Sequence, residues 1–142
     1  MRKPTTSPAG VPPSTTSDAT TRGIRVLVRS VYVPERSSPA DDSYFFAYRI
    51  RIANEGAQTA RLVSREWVIT DGHGSVEVVR GEAVVGEQPV LDPGEAFEYE
   101  SFCPLPTPTG TMQGRYFMVT GRGDEFDVRI APFALEALQT VN

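Results

Sequence analysis

The run Phe46-Ala47-Tyr48-Arg49-Ile50-Arg51-Ile52 alternates large apolar residues with small or charged ones at every second position. Successive side chains of an extended chain point to opposite faces, so this spacing predicts a strand with one buried face and one wet face. A helix would scatter the same residues around its circumference. The period recurs where Ile24, Val26 and Val28 oppose Arg25, Leu27 and Arg29, and where Phe97 and Tyr99 oppose Glu98 and Glu100. It appears again where Phe126, Val128 and Ile130 oppose Asp127 and Arg129. In Ala60 to Asp71 the expected inner residues are Val63, Trp67 and Ile69, and a short strand is expected at Val76 to Val79.

Turn residues separate these runs: Asn54-Glu55-Gly56, Asp71-Gly72-His73-Gly74, Pro93-Gly94-Glu95 and Gly121-Arg122-Gly123-Asp124. About seven short strands, frequent turn signals and no helical period predict an all-β fold. It is an antiparallel sandwich of immunoglobulin or fibronectin type III shape, with Trp67 at the centre of the core. That topology sets Arg49 and Arg51 opposite Glu98 and Glu100, as exposed pairs worth at most about 1 kcal/mol each.

A chain of 142 residues with 39% hydrophobic content suits one domain and one core. Residues 1–21 are dominated by Thr, Ser, Pro, Ala and Gly, a composition expected to form a disordered tail, with the domain occupying 22–142. The closing Phe133-Ala134-Leu135-Glu136-Ala137-Leu138 run is expected to make one helical turn at most. A net charge of −4 disfavours nucleic acid and anionic lipid as partners. With one cysteine, Cys103, no internal disulfide can form. The absence of a long apolar run argues for a soluble protein, and the cytoplasm is the expected location.

Several stretches together resemble the ApaG family: SVYVPERSSP, FAYRIRIANEG, REWVITDGHG, RGEAVVGEQPVLDPGE, TPTGTMQGRYFM and IAPFAL. The resemblance spans about Gly23 to Leu138 and implies an immunoglobulin-like sandwich, as the alternation does. It also implies a family linked by name and gene neighbourhood to diadenosine tetraphosphate hydrolysis, and by phenotype to cobalt and magnesium resistance. Similar eukaryotic domains sit beside F-box or polymerase-interacting segments, where they look like partner-binding modules. No catalytic mechanism comes with the family.

Arg80 to Glu95 is the stretch with the strongest claim to function. Family members carry GxGxxG there, and this chain has Gly81, Ala83 and Gly86, so the middle glycine is replaced. A dinucleotide fingerprint works because it follows a strand and opens a helix whose N–H groups meet a pyrophosphate. Here a proline and another strand follow. No Lys, Arg or His occurs between Gly81 and Gly114, whereas Glu82, Glu87, Asp92, Glu95, Glu98 and Glu100 are acidic. A polyphosphate would therefore need Arg80 or a distant arginine folded over it.

The acidic run could instead hold a hard cation, with Glu98 and Glu100 about 7 Å apart on one strand face; a solvated face paired with the arginines is the favoured reading. His73 reads as a turn residue and Cys103 as a small buried hydrophobe, which leaves no zinc set and no nucleophile with a base. No catalytic residue, metal site or cofactor is expected. Tyr44, Phe45, Tyr116, Phe117 and Phe133 exceed what one interior needs, so some are expected to face outward.

These readings favour a non-catalytic binding domain for a protein or peptide, using Arg80, Gly81, Ala83, Val84, Val85, Gly86 and Glu87. The alternative is a sensor of small ligands or ions, binding Mg²⁺, Co²⁺ or a nucleotide polyphosphate through the Gly81 to Gly86 loop.

Overall fold

A computed structural model describes residues 14–137. Nine strands follow one another: β1 (Thr16–Thr21), β2 (Ile24–Tyr32), β3 (Tyr44–Asn54), β4 (Ala60–Asp71), β5 (Val76–Glu82), β6 (Val90–Leu91), β7 (Ala96–Leu105), β8 (Thr109–Thr120) and β9 (Glu125–Glu136). One antiparallel sheet has the order β1-β2-β3-β7, and the other runs β5-β4-β8-β9 with β6 alongside β4. The all-β sandwich expected from the alternation is present. The two strands beyond the expected seven are β1 and β6.

The core lies between the sheets and is built by the apolar alternation. Ile24, Val26 and Val28 of β2, Phe46, Ile50 and Ile52 of β3, and Val128 and Ile130 of β9 are all buried. Each large apolar side chain removed from water this way contributes about 1.5–3 kcal/mol. Trp67 is 3% exposed and meets the edges of Tyr48 at 5.3 Å and Phe133 at 5.9 Å between ring centroids. The outer face of the first sheet is polar, and Glu98 pairs with both Arg51 (2.9 Å) and Arg49 (3.5 Å). Glu100 stands opposite Arg49 in the register but makes no ion pair among the described residues.

Three expectations need correction. The tail expected over 1–21 is too long: residues 1–13 lie outside the described residues, but Thr16–Thr21 is strand β1, paired with β2 from Thr16↔Arg29 to Thr21↔Ile24. Its residues TSDATT show no apolar alternation, and the strand exists because β2 offers it a backbone ladder and β9 packs beside it, with the Arg129 N–H on Thr21 Oγ1. In β4 the inner residue is Leu62, not Val63, because the register shifts between Leu62 and Ser64. Such a bulge adds one residue and reverses the alternation on one side of it. The closing run continues β9 as far as Glu136, paired with β8, in place of a helical turn. Of the surplus aromatic residues, Tyr116 and Phe133 are fully buried, whereas Phe117 borders the outer face of the second sheet and Phe45 stacks on the exposed Phe102, so some do face outward as expected.

The two flanks of the sandwich differ. At one flank β1 crosses from the first sheet towards β9: the Ala134 N–H donates to the Ser14 carbonyl (2.8 Å), the Ser30 hydroxyl to the Ala134 carbonyl (2.6 Å), and the Arg129 N–H to Thr21 Oγ1 (3.1 Å). At the other flank β7 and β5 are the free edges of their sheets. The Arg80 to Glu95 stretch belongs to this open flank.

Candidate functional site

The bulge in β4 positions the loop after β5. Next to that bulge the β4–β5 ladder runs on for one more pair, and the Val63 carbonyl accepts both the Ala83 N–H (2.8 Å) and Gln88 Nε2 (3.0 Å). Between those anchors Val84 and Glu87 exchange two backbone hydrogen bonds of 2.8 Å. Val85 (φ 41°) and Gly86 (φ 82°) form the two central positions, the pattern of a type I′ turn. A β-branched residue at positive φ is strained, so Val85 is held by its surroundings. The loop rejoins the sheet where the Leu62 N–H donates to the Pro89 carbonyl (3.0 Å) and β6 pairs with Ala60 and Arg61.

Arg65 clamps the start of this loop. It stands opposite Gly81 in the β4–β5 register, and its Nη1 donates to the carbonyls of Glu82 (3.2 Å) and Ala83. A Cβ on Gly81 would lie 2.8 Å from Arg65 Nη1, so the guanidinium would have to shift to admit any other residue there. Among the described residues Arg65 has no carboxylate partner, and its charge is held by backbone oxygens alone.

Beside the clamp, on the outer face of the second sheet, runs an open groove of about 450 Å³ bounded by Ser64, Glu66, Arg80, Glu82, Arg115 and Phe117. Glu66 accepts from Arg80 Nε (2.6 Å) and Arg115 Nε (3.0 Å), and Arg115 also pairs with Asp127 (2.7 Å). The hydrogen bond from Arg80, together with Arg115, holds the Glu66 carboxyl below the usual carboxylate range. Two cations thus face two carboxylates along the groove, which leaves little net field for an anion.

The expected site residues separate into three groups. Arg80, Val85, Gly86 and Glu87 are exposed, and Val85 is 55% exposed at the loop tip. Gly81 and Ala83 are half-buried and serve backbone geometry, with Ala83 at φ 68°. Val84 is fully buried: it plugs the core beneath the loop and cannot meet a partner directly. Arg65, Glu66 and Arg115 were missed as neighbours of the loop. The signal for Arg65 lay in pairing Gly81 with its facing residue on β4, which becomes visible only once the register is known.

A family model described as ApaG domain matches residues 34–120. The Protein ApaG of Rhodospirillum centenum is 54% identical over 117 residues, covering 82% of this chain and 90% of that protein. The Protein ApaG of Anaeromyxobacter sp. strain K is 53% identical over 126 residues, or 89% and 99% of the two chains. The chain belongs to the ApaG family. A solved structure titled as the putative ApaA protein from Bordetella pertussis superposes with a TM-score of 0.80 at 48% identity, covering 91% of this chain and all of that one.

In this ApaG domain each position of the glycine pattern has a conformational reason. Gly81 admits Arg65, the position of Ala83 requires positive φ, and Gly86 completes the turn. A phosphate-binding nest needs successive free N–H groups. The N–H groups of Ala83, Val84 and Glu87 are already spent on protein carbonyls, and those of Val85 and Gly86 at the tip have no acceptor among the described residues.

Elsewhere, His73 is exposed in its hairpin, where its N–H donates to Asp71 Oδ1 (2.8 Å). Cys103 is buried, and burial followed by the charge of Glu77 pushes its thiol up to about 11. That shift opposes nucleophilic use at neutral pH. No group of three or more His, Cys, Asp or Glu side chains converges among the described residues. No helix there is long and apolar enough to cross a membrane.

Proposed function

We propose that this ApaG domain is a non-catalytic recognition module whose ligand is a segment of another protein. The loop tip Val85-Gly86-Glu87 and the groove beside Arg80 and Arg115 form the contact surface. The observation that carries this reading is the state of the loop's backbone. The N–H groups of Ala83, Val84 and Glu87 are spent on protein carbonyls, and the tip holds an apolar side chain, Val85, outward in a strained turn. A surface of that kind suits side chains of a partner better than phosphate oxygens. The charged rails of Arg80, Glu66, Arg115 and Asp127 would set the register of a polypeptide bearing both signs of charge.

Quantitative capture from cell lysate tests this, comparing the native chain with Val85→Lys combined with Glu87→Lys. The reading expects proteins captured by the native chain to be lost by the variant while its melting temperature is retained. Identical capture by both would overturn it. Calorimetry with Mg²⁺, Co²⁺ and diadenosine tetraphosphate addresses the alternative of a small-ligand or ion sensor. Flat titrations support the protein-binding reading, and saturable heat for any of the three favours the sensor. Hydrolysis assays on the same nucleotide that show no turnover support a non-catalytic role, and turnover would refute it.

A further inference from the structure

The free edge of β5 is built to pair with itself. The Asp71 N–H bonds to the Ser75 carbonyl (3.0 Å) and the Ala83 N–H to the Val63 carbonyl (2.8 Å), so odd-numbered residues along β5 direct their backbone groups at β4. Antiparallel ladders alternate, so the N–H and C=O groups of Val76, Val78, Arg80 and Glu82 point away from the sheet. Among the described residues, only the Glu82 carbonyl has another donor, Arg65. Exposed edges are normally blunted by proline, by charge or by bulges. The other free edge, β7, carries Pro104, whereas Val76 to Arg80 has neither proline nor lysine nor a register shift, and its charges are Glu77 and Arg80. It does show two exposed valines, Val76 (61%) and Val78 (45%).

We infer that two copies of this chain join their β5 edges antiparallel about a two-fold axis through Val79, making one continuous sheet. Two-fold pairing opposes residues whose numbers have a constant sum. Outward-facing residues must meet each other, which gives the hydrogen-bonded pairs Val78 with Arg80 and Val76 with Glu82 of the second copy.

The same register sets Glu77 of the second copy directly opposite Gly81, at a closely spaced pair. Glu77 and Gly81 share the face of Val79, which packs on the core. The guanidinium of Arg65 occupies that place, within 2.8–3.0 Å of where a Gly81 Cβ would be. Arg65 and Glu77 both lack an ion-pair partner among the described residues, and the two-fold supplies each with the other, twice. Centring the axis on Val78 instead sets Glu77 opposite Val79 and leaves both charges unmatched. Charge complementarity therefore selects both the occupant and the register.

Sedimentation equilibrium of the full chain over a micromolar to millimolar range tests this without reference to the loop's ligand. The expected result is a concentration-dependent dimer. Val78→Pro, which removes an outward N–H and no ladder bond to β4, should leave monomer with an unchanged melting temperature. Glu77→Lys alters an exposed side chain that makes no contact needed for folding, and should raise the dissociation constant about tenfold or more by losing two ion pairs and adding repulsion at Arg65. A monomer at every concentration overturns the inference, as does a dimer that Glu77→Lys and Val78→Pro leave intact. A dimer lost in these variants while lysate capture persists would support the edge pairing separately from the loop's role.

Discussion

At the flank closed by β1 and β9, backbone and hydroxyl groups from the two sheets bond to one another, and Ser30 is buried in the seam. At the flank bounded by β5 and β7 no strand crosses, an arginine is neutralised only by carbonyls, and Ala83 and Val85 sit at positive φ. The first arrangement spends its polar groups on closure. The second keeps charge, apolar surface and backbone donors in reserve, and strain persists there because the β4 bulge, Arg65 and the Val84 plug over-determine the loop. With the contact surface proposed above, closure and recognition fall on opposite sides of one small core.

Perturbations of each flank should reveal that division. The largest effect is expected from a chain beginning at Arg22, which removes β1 and uncovers the β2 and β9 edges. It should lose cooperative thermal unfolding by circular dichroism, whereas a dispensable tail would leave the melt unchanged. On the open flank, Arg65→Ala should cost about 1–3 kcal/mol in urea unfolding, because two carbonyls lose their donor. Conversion of Gly81 to Ala should cost less than Arg65→Ala in the same measurement, because the guanidinium tip can shift while keeping a carbonyl partner.

The acid limb of stability samples both flanks. Asp18 is held low by its hydrogen bond from Arg25, and Glu66 by Arg80 and Arg115. A folded carboxyl below its unfolded value of about 4 means that the unfolded chain binds more protons in that window. Stability from these pairs is therefore present above about pH 4 and lost as pH falls through the folded values. Glu66→Gln should lower stability at pH 7, and its difference from the native chain should shrink towards about pH 2, as followed by melting temperature.

The smallest effects belong to the strained turn. Ala83→Gly relieves about 1–2 kcal/mol of left-handed strain and adds about 0.5–1 kcal/mol of chain entropy, for a gain of up to about 1.5 kcal/mol. Val85→Lys should change stability by less than about 0.5 kcal/mol while altering binding. A large loss at Val85 would show that the tip is structural and erase the contrast between the flanks.

The alternation in β2, β3, β7 and β9 was legible because half-buried strands repeat every two residues and their turns carry Gly, Pro and Asn. The tryptophan core followed from the same pattern. β1 was not legible, since TSDATT is polar throughout and its extended form is imposed by neighbours distant in sequence. The bulge between Leu62 and Ser64 was equally hidden, because no glycine marks it and the two alternations fit the residues equally well.

Within the candidate site, Val84 and Val85 are identical in chemistry, and only the turn geometry sends one into the core and the other into solvent. Scanning the segment for positive charge found nothing after Gly81, because the arginines that border it, Arg65 and Arg115, come from neighbouring strands. Recognition of the family fixed which stretch to inspect, and the three-dimensional register explained why its glycines are there.

Amide hydrogen exchange of the full chain, with and without proteins captured from lysate, tests the central division most directly. The account predicts added protection confined to residues 76–87 and the groove strands β4 and β8, with β1 and β9 unchanged. Protection appearing on β1 and β9 instead would contradict it.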